Sequence, residues 1–265
     1  MRILVTGATA GIGLETARAL AAQGHTVWVH GRNEAKAGAA VEDIRSGQRA
    51  ADCRPHACDL SSQAAIRAWA ERLRADVPID VIVNNAGVWC NEPTRTADGR
   101  ETTWAVNHLA PFLLTHLLLD RLLERPHSRV INVATMRDPG ASIRFDDPDL
   151  FGGFDGMTAY RQSKLANVLF TQELARRTAG TSLVTHALHP GVIDTQLLAA
   201  TGLGHRVMET PAQGARTSVF LATDPSVARS SGRYFVACEE RTPSSTDADL
   251  ARRLWALSEQ QLGLR

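Results

Sequence analysis

Residues 6–13 read Thr6-Gly7-Ala8-Thr9-Ala10-Gly11-Ile12-Gly13, between the apolar run Arg2-Ile3-Leu4-Val5 and a helical pattern from Leu14 to Gln23. A strand, a glycine-rich turn and a helix in that order suit a pyrophosphate. Glycine permits a tight turn, lets backbone N–H groups approach the anion, and allows close helix–strand packing. The helix N-terminus then favours the negative charge. A glycine-rich turn alone is a weak signal; its place at the first strand–helix junction carries the expectation. Gly7, Thr9, Gly11, Ile12 and Gly13 are the candidate contacts.

Beyond this turn, apolar β-branched runs alternate with Ala/Leu-rich helical patterns. Strands are expected at 2–6, 26–30, 53–57, 80–83, 128–134, 182–189 and 233–236. Helices are expected at 12–23, 34–45, 62–75, 100–123, 158–178, 212–223 and 247–262. That alternation predicts an α/β fold: a Rossmann-type, doubly wound parallel sheet of about seven strands with helices on both faces. Residues 1–265 are expected to form a single domain, since no repeat, low-complexity tract or linker interrupts them. Substrate loops are expected near 136–158 and 192–210; both follow strands, and ligands of such sheets bind beyond the strand carboxyl ends.

Composition narrows the function. The 265 residues hold 29 Lys+Arg against 28 Asp+Glu, so charge gives no reason to expect a nucleic-acid partner. Hydrophobic residues make up 44% and charged residues 22%, an ordinary globular mix. Four cysteines without a CxxC pair fit a reduced, cytoplasmic setting. The N-terminal apolar stretch is short for a signal peptide, and the most apolar segment, Phe112 to Leu123, is broken by His116, Asp120 and Arg121, so no membrane span is expected. No His-x-x-x-His pair suits zinc, and no metal is expected.

The second strand ends in Gly31-Arg32-Asn33, and the first acid after it is Glu34. An NAD site usually places an acid there for the ribose 2′-hydroxyl. Arg32 instead suits a 2′-phosphate, which predicts NADP(H); as a plain loop residue it would be solvated.

Tyr160-Arg161-Gln162-Ser163-Lys164 opens a helical segment, and i,i+4 spacing sets Tyr160 and Lys164 on one face. A nearby ammonium stabilises a phenolate and lowers its pKa, which would make Tyr160 a usable general acid or base at a carbonyl or alcohol oxygen. The spacing alone is common by chance, but this is one of only two tyrosines and it follows a candidate active-site loop.

With these residues in place, the chain resembles the short-chain dehydrogenase/reductase family. The shared motifs are Thr-Gly-x-x-x-Gly-x-Gly at 6–13, Asp59-Leu60, Asn84-Asn85-Ala86-Gly87, Asn107, Tyr160-x-x-x-Lys164 and Pro190-Gly191. Longer stretches are similar to the branch containing retinol dehydrogenases and the WW-domain-containing oxidoreductase, here without a WW module. They include Val106 to Phe112, Tyr160 to Arg176, Ala187 to Val192 and Ala251 to Trp255.

The resemblance implies roles. Tyr160 would exchange the proton. Lys164 would hold the nicotinamide ribose and lower the Tyr160 pKa. Asn107 would kink its helix and hold a water linking Lys164 to solvent. Asp59 and Leu60 would flank the adenine. Asn84, Ala86 and Gly87 would lie along the cofactor, with Asn84 partly structural. Pro190, Gly191, Val192 and Thr195 would border the nicotinamide. The helices 100–123 and 158–178 often form dimer faces in this family, so a homo-oligomer stays open.

One departure stands out. The family usually has two serines after the fifth strand, the second polarising the substrate oxygen; here Ala134-Thr135 occupies that place. Threonine keeps the hydroxyl donor, while its methyl restricts χ1 and crowds the pocket. Ser142 would be a substitute only if its loop folded back. His108 and His189 read as packing residues, and Asp146-Asp147-Pro148-Asp149 as a solvated loop. Cys90 is a pocket candidate without sign of an activated thiolate. Trp89, Met136, Met157, Leu197 and Leu198 suit either an apolar substrate wall or ordinary core.

The expected function is NADP(H)-dependent interconversion of a carbonyl and its alcohol on an apolar small molecule. The alternatives are a cofactor-binding sensor or scaffold with weak turnover, prompted by Ala134-Thr135, and isomerase or cyclase chemistry on the same framework.

Overall fold

The computed structural model describes residues 1–264 except 77, 136–137 and 203–207. Its strands are β1 (Arg2–Val5), β2 (Thr26–Gly31), β3 (Cys53–Ala57), β4 (Val81–Asn84), β5 (Arg129–Val133), β6 (Val184–His189), β7 (Arg233–Val236) and β8 (Glu239–Arg241). The main helices are α1 (Gly11–Ala22), α2 (Glu34–Gly47), α3 (Gln63–Asp76), α4 (Thr102–Trp104), α5 (Ala110–Leu123), α6 (Gly156–Arg177), α7 (Gln196–Ala200), α8 (Pro211–Thr223) and α9 (Ala248–Gln261). The sheet order is β3-β2-β1-β4-β5-β6-β7-β8, with only the last pairing antiparallel.

Period-two alternation assigns the faces. Ile3, Val5, Val27, Val29, Val81 and Val83 pack with α1, α2 and α8. Their neighbours Leu4, Trp28 and Ile82 pack with α3, α5, α6 and α9 on the other side. Strands buried on both faces read as unbroken apolar runs, which is why they are visible in the sequence. On the second face Trp255 of α9 meets Phe112 at 4.7 Å and Phe170 at 5.9 Å between ring centroids, so α9 lies over α5 and α6. No helix among the described residues is long and apolar enough to cross a membrane.

Three local features depart from expectation. The sheet has eight strands, because Val236 turns through Ala237 and Cys238 at φ 50° and 65° into β8. Such hairpins normally use Asn or Gly, so the sequence carried no signal. The expected helix 100–123 is divided by a π-helical turn, Ala105–Leu109, between α4 and α5. The expected loop 192–210 contains α7, whose N-terminus is capped by Thr195 Oγ1 accepting from Leu198 N at 3.3 Å.

β1 neighbours both β2 and β4, so the winding reverses there and a crevice opens at the strand carboxyl ends.

Candidate active site

A cleft of 810 Å³ occupies that crevice, running from Arg32 and Lys36 at one end to Trp89, Met157 and Tyr160 at the other. Gly7 and Gly11, at φ 63° and 55°, shape its floor. A Cβ on Gly7 would stand 2.8 Å from Ala86 Cα, and one on Gly13 only 2.3 Å from the Gly7 carbonyl oxygen. Ala10 precedes α1 and supplies no capping side chain, and the first turn holds no acid. The first-turn N–H groups therefore lack a side-chain cap and face a glycine-lined floor, which fits a pyrophosphate.

Polar ties fix this floor. Thr6 Oγ1 accepts from Asn85 N at 3.0 Å and Ala86 N at 3.1 Å. Asn85 Nδ2 donates to the carbonyls of Thr6 and Gly7 at 2.9 and 3.2 Å. His30 closes the turn from β2: Nδ1 accepts from Gly7 N at 3.1 Å and Nε2 donates to the Cys58 carbonyl at 3.0 Å. Burial pushes His30 down to about 4, so it is neutral and able to do both.

Sequence reasoning overlooked Asn85 and His30. It placed Asn84 along the cofactor in a partly structural role; the side chain turns into the core, where Nδ2 donates to Asn132 Oδ1 at 2.9 Å and Thr115 Oγ1 at 3.3 Å. The asparagine facing the cleft is Asn85.

The remaining cofactor candidates meet around the cleft. Thr9, Ile12, Arg32, Asp59, Leu60, Ala86, Gly87, Pro190, Gly191, Val192 and Thr195 all line it. Arg32 is exposed and has no carboxylate within 4 Å among the described residues. Asp59 accepts from Ser61 N and Oγ at 2.9 and 2.7 Å, which occupies its Oδ1.

At the other end α6 delivers Tyr160 and Lys164, and the end of β5 delivers Thr135. The Thr135 side chain lines the cleft with Tyr160 and favours the ionised phenol. Lys164 Nζ donates to the Val133 carbonyl at 3.1 Å and lies 5.5 Å from the centre of the Tyr160 ring. Burial pushes Tyr160 up to about 12 against the pull of Thr135, and pushes Lys164 down to about 8. The expected lowering of the phenol by Lys164 is not what sets its shift: desolvation dominates, and the ammonium is held by a carbonyl.

Asn107 sits in the π-helical turn. Its Nδ2 donates to the Val88 carbonyl at 3.0 Å and Ser163 Oγ at 3.1 Å, while Oδ1 accepts from Val88 N at 2.7 Å. Gly87 separates it from Lys164: a Cβ there would be 3.4 Å from both Asn107 Oδ1 and Lys164 Nζ.

Other candidates divide. Trp89 lies 5.3 Å from Tyr160 between ring centroids, and Met157, Leu197 and Leu198 complete an apolar wall. Met136 falls outside the described residues. Ser142 and Cys90 do not line the cleft, whereas His189 does, kept neutral by burial at about 4. Asp149 is not a solvated loop residue: it is buried and accepts from Glu101 N at 2.8 Å and Arg100 Nη1 at 2.9 Å. His108 is buried between Asn167 and Ser258, away from the cleft.

A glycine-floored cleft ending in a Tyr-x-x-x-Lys pair is matched among known proteins. The family model for short chain dehydrogenases matches residues 1–205. The chain belongs to the short-chain dehydrogenase family. Retinol dehydrogenase 12 of Bos taurus is 38% identical over 273 residues, covering 99% of this chain and 86% of that protein. Human retinol dehydrogenase 14 is 38% identical over 289 residues with the same coverage. Among solved structures, an uncharacterised protein from Mycobacterium paratuberculosis shares 33% identity at a TM-score of 0.80, covering 99% of this chain and 93% of that one. A structure titled as an NAD(P)-dependent gluconate 5-dehydrogenase from Beutenbergia cavernae, with NADP at low occupancy, shares 26% identity at a TM-score of 0.73, covering 89% and 94%.

This short-chain dehydrogenase falls in the retinol dehydrogenase branch of its family and is an oxidoreductase acting on alcohol or carbonyl groups with a nicotinamide dinucleotide.

Proposed function

We propose that the protein is a single-domain, NADP(H)-dependent oxidoreductase that interconverts an apolar aldehyde or ketone and its alcohol. The observation that carries this is the pairing in one cleft of Arg32 and Lys36, neither of them ion-paired within 4 Å among the described residues, with Tyr160 and Thr135 beside Trp89.

The guanidinium of Arg32 would pair with a 2′-phosphate, with Lys36 adding positive charge. The α1 N-terminus would hold the pyrophosphate, and Leu60 and Asp59 would flank the adenine. Bound nicotinamide supplies or accepts the hydride. Thr135 Oγ1 would donate a hydrogen bond to the substrate oxygen, and Tyr160 Oη would give it the proton in reduction or take one in oxidation. A phenol at about 12 is protonated at neutral pH, so the apo-site chemistry favours the donor role. Lys164 would hold the nicotinamide ribose, with Asn107 bracing the Val88 backbone beside it. Trp89, Met157, Leu197 and Leu198 would enclose an apolar substrate.

The test is turnover of retinal, decanal, a steroid ketone and cyclohexanone with NADPH, with Tyr160→Phe alongside. Oxidation of NADPH that follows the apolar carbonyls and is lost in Tyr160→Phe is expected. Product formed without net NADPH oxidation would replace this reading with isomerase chemistry. Tight cofactor binding with no turnover on any carbonyl would leave a sensor or scaffold.

A further inference from the structure

Four buried polar groups join the last helix to the π-helical turn. Asn107, His108 and Ser258 have no exposed surface, and Asn167 is 2% exposed. Asn167 Nδ2 donates to the Asn107 carbonyl at 2.9 Å. That orientation turns Asn167 Oδ1 toward His108 Nδ1, 3.4 Å away. Two lone pairs cannot face each other there, so Nδ1 carries the hydrogen. Burial pushes His108 down to about 3, so the ring is neutral and Nε2 is an acceptor. It faces Ser258 Oγ at 2.9 Å, and Ser258 Oγ lies equally close to the Leu254 carbonyl. Ser258 Oγ donates to that carbonyl, and in the Nδ1–H form of His108 the same single hydrogen has Nε2 as its second acceptor.

We propose that Ser258, His108 and Asn167 form a positioning relay that fixes the carbonyl of Asn107, and with it the π-helical turn beside Lys164. The relay rests on the role given to Asn107 above. Its direction is set by chemistry: only the Nδ1–H form of His108 holds Asn167 with its amide toward Asn107. The other tautomer would favour an inverted Asn167, replacing a donor with an oxygen opposite the Asn107 carbonyl. The ring is also flanked by Trp104 and Phe112, at 4.6 and 6.2 Å between centroids, and has no exposed surface. Because Ser258 lies on α9, the seating of that helix on α5 and α6 bears on the turn next to the cleft. His108 does not line the cleft; it acts through Asn167.

Two measurements test the relay. Imidazole ¹⁵N NMR of the full chain should show His108 as the neutral Nδ1–H tautomer; the Nε2–H form would overturn the proposal without any turnover assay. Next, His108→Asn, which keeps an amide donor near Nδ1, is compared with His108→Gln, which places its amide toward Ser258, and with His108→Leu. Retinal reduction with NADPH is followed together with Tm. His108→Asn should keep most of kcat, while the other two lose about tenfold at unchanged NADPH KM. Losses in kcat that simply track Tm across the three would overturn the relay, as would equal turnover in all. Asn107→Ala separates the levels. Full turnover there removes the role of Asn107 itself, whereas loss there with normal His108→Leu removes only the relay.

Discussion

Lys164 Nζ donates to the Val133 carbonyl at 3.1 Å and stands 5.5 Å from the centre of the Tyr160 ring, one helical turn away on α6. Burial drives the two groups in opposite senses: the phenol up to about 12, the ammonium down to about 8. Both shifts favour the neutral form. Near neutrality Tyr160 keeps its proton, and the group that titrates within reach is Lys164.

A pH dependence of reduction follows. Lys164 is charged below about 8 and loses its proton as pH rises through that value, while Tyr160 stays protonated to about 12. The reductive kcat/KM for NADPH-bound turnover should therefore hold on the acid side of 8 and fall above it with a one-proton slope. Lys164→Arg keeps its charge well above that range and should lose the descending limb even if its rate is lower. A wild-type profile flat from pH 7 to 10 would contradict Lys164 as the titrating group.

The proton-transfer end makes a second prediction. Tyr160→Phe removes the Oη and should cut turnover about 10³-fold while NADPH still binds. Thr135→Ala removes the hydroxyl that lines the cleft with Tyr160 and should cost about 10²-fold in kcat. Thr135→Ser keeps that hydroxyl without the methyl and should stay active, with its largest gain on bulky ketones. Steady-state kinetics on the same carbonyl panel decides it. An active Thr135→Ala would exclude the hydroxyl from the reaction.

At the opposite end of the cleft, Arg32 sets a third prediction. It is exposed and unpaired with any carboxylate within 4 Å among the described residues. A charge-assisted bond to phosphate is worth about 1.5–3 kcal/mol, so Arg32→Ala should weaken NADPH binding roughly 10–100-fold and leave NADH nearly unchanged. Fluorescence titration of both cofactors reads this directly. Equal loss for both would assign Arg32 to the fold of the rim instead of to the 2′-phosphate.

Legibility in the sequence followed the kind of force involved. β1 and β4 are apolar on both faces, and α1 begins at glycines, so pattern and turn chemistry placed them. β8 is three exposed residues entered through Ala237 and Cys238, with neither periodicity nor a turn residue to mark it. The π-helical turn is one extra residue in a helical ladder and leaves the apolar spacing nearly intact. Among site residues, Arg32, Tyr160 and Lys164 carry chemistry that spacing can display. Asn85 and His30 work only through partners at least 23 positions distant, so nothing local distinguishes them from Asn84 or a core histidine.

Gly13 joins fold and site at one atom. The Cβ that alanine would add falls 2.3 Å from the Gly7 carbonyl oxygen and 2.4 Å from Asn85 Nδ2. Neither neighbour can retreat freely, because the Gly7 carbonyl accepts from Asn85 and that side chain also holds the Thr6 carbonyl. Gly13→Ala should thus push α1 away from β1 and open the bonds that shape the phosphate floor. Overpacking of this kind costs about 2 kcal/mol, equivalent to a Tm drop of roughly 5 °C for a chain this size. Cofactor affinity should fall further than that loss of stability explains, since the first-turn N–H groups would no longer face the floor. Gly38→Ala, on α2 with nothing within 4 Å of the added carbon, is the control and should be neutral or slightly stabilising. Thermal melts and NADPH titration of the pair separate the two effects; Gly13→Ala with wild-type affinity would show that the floor tolerates displacement of α1.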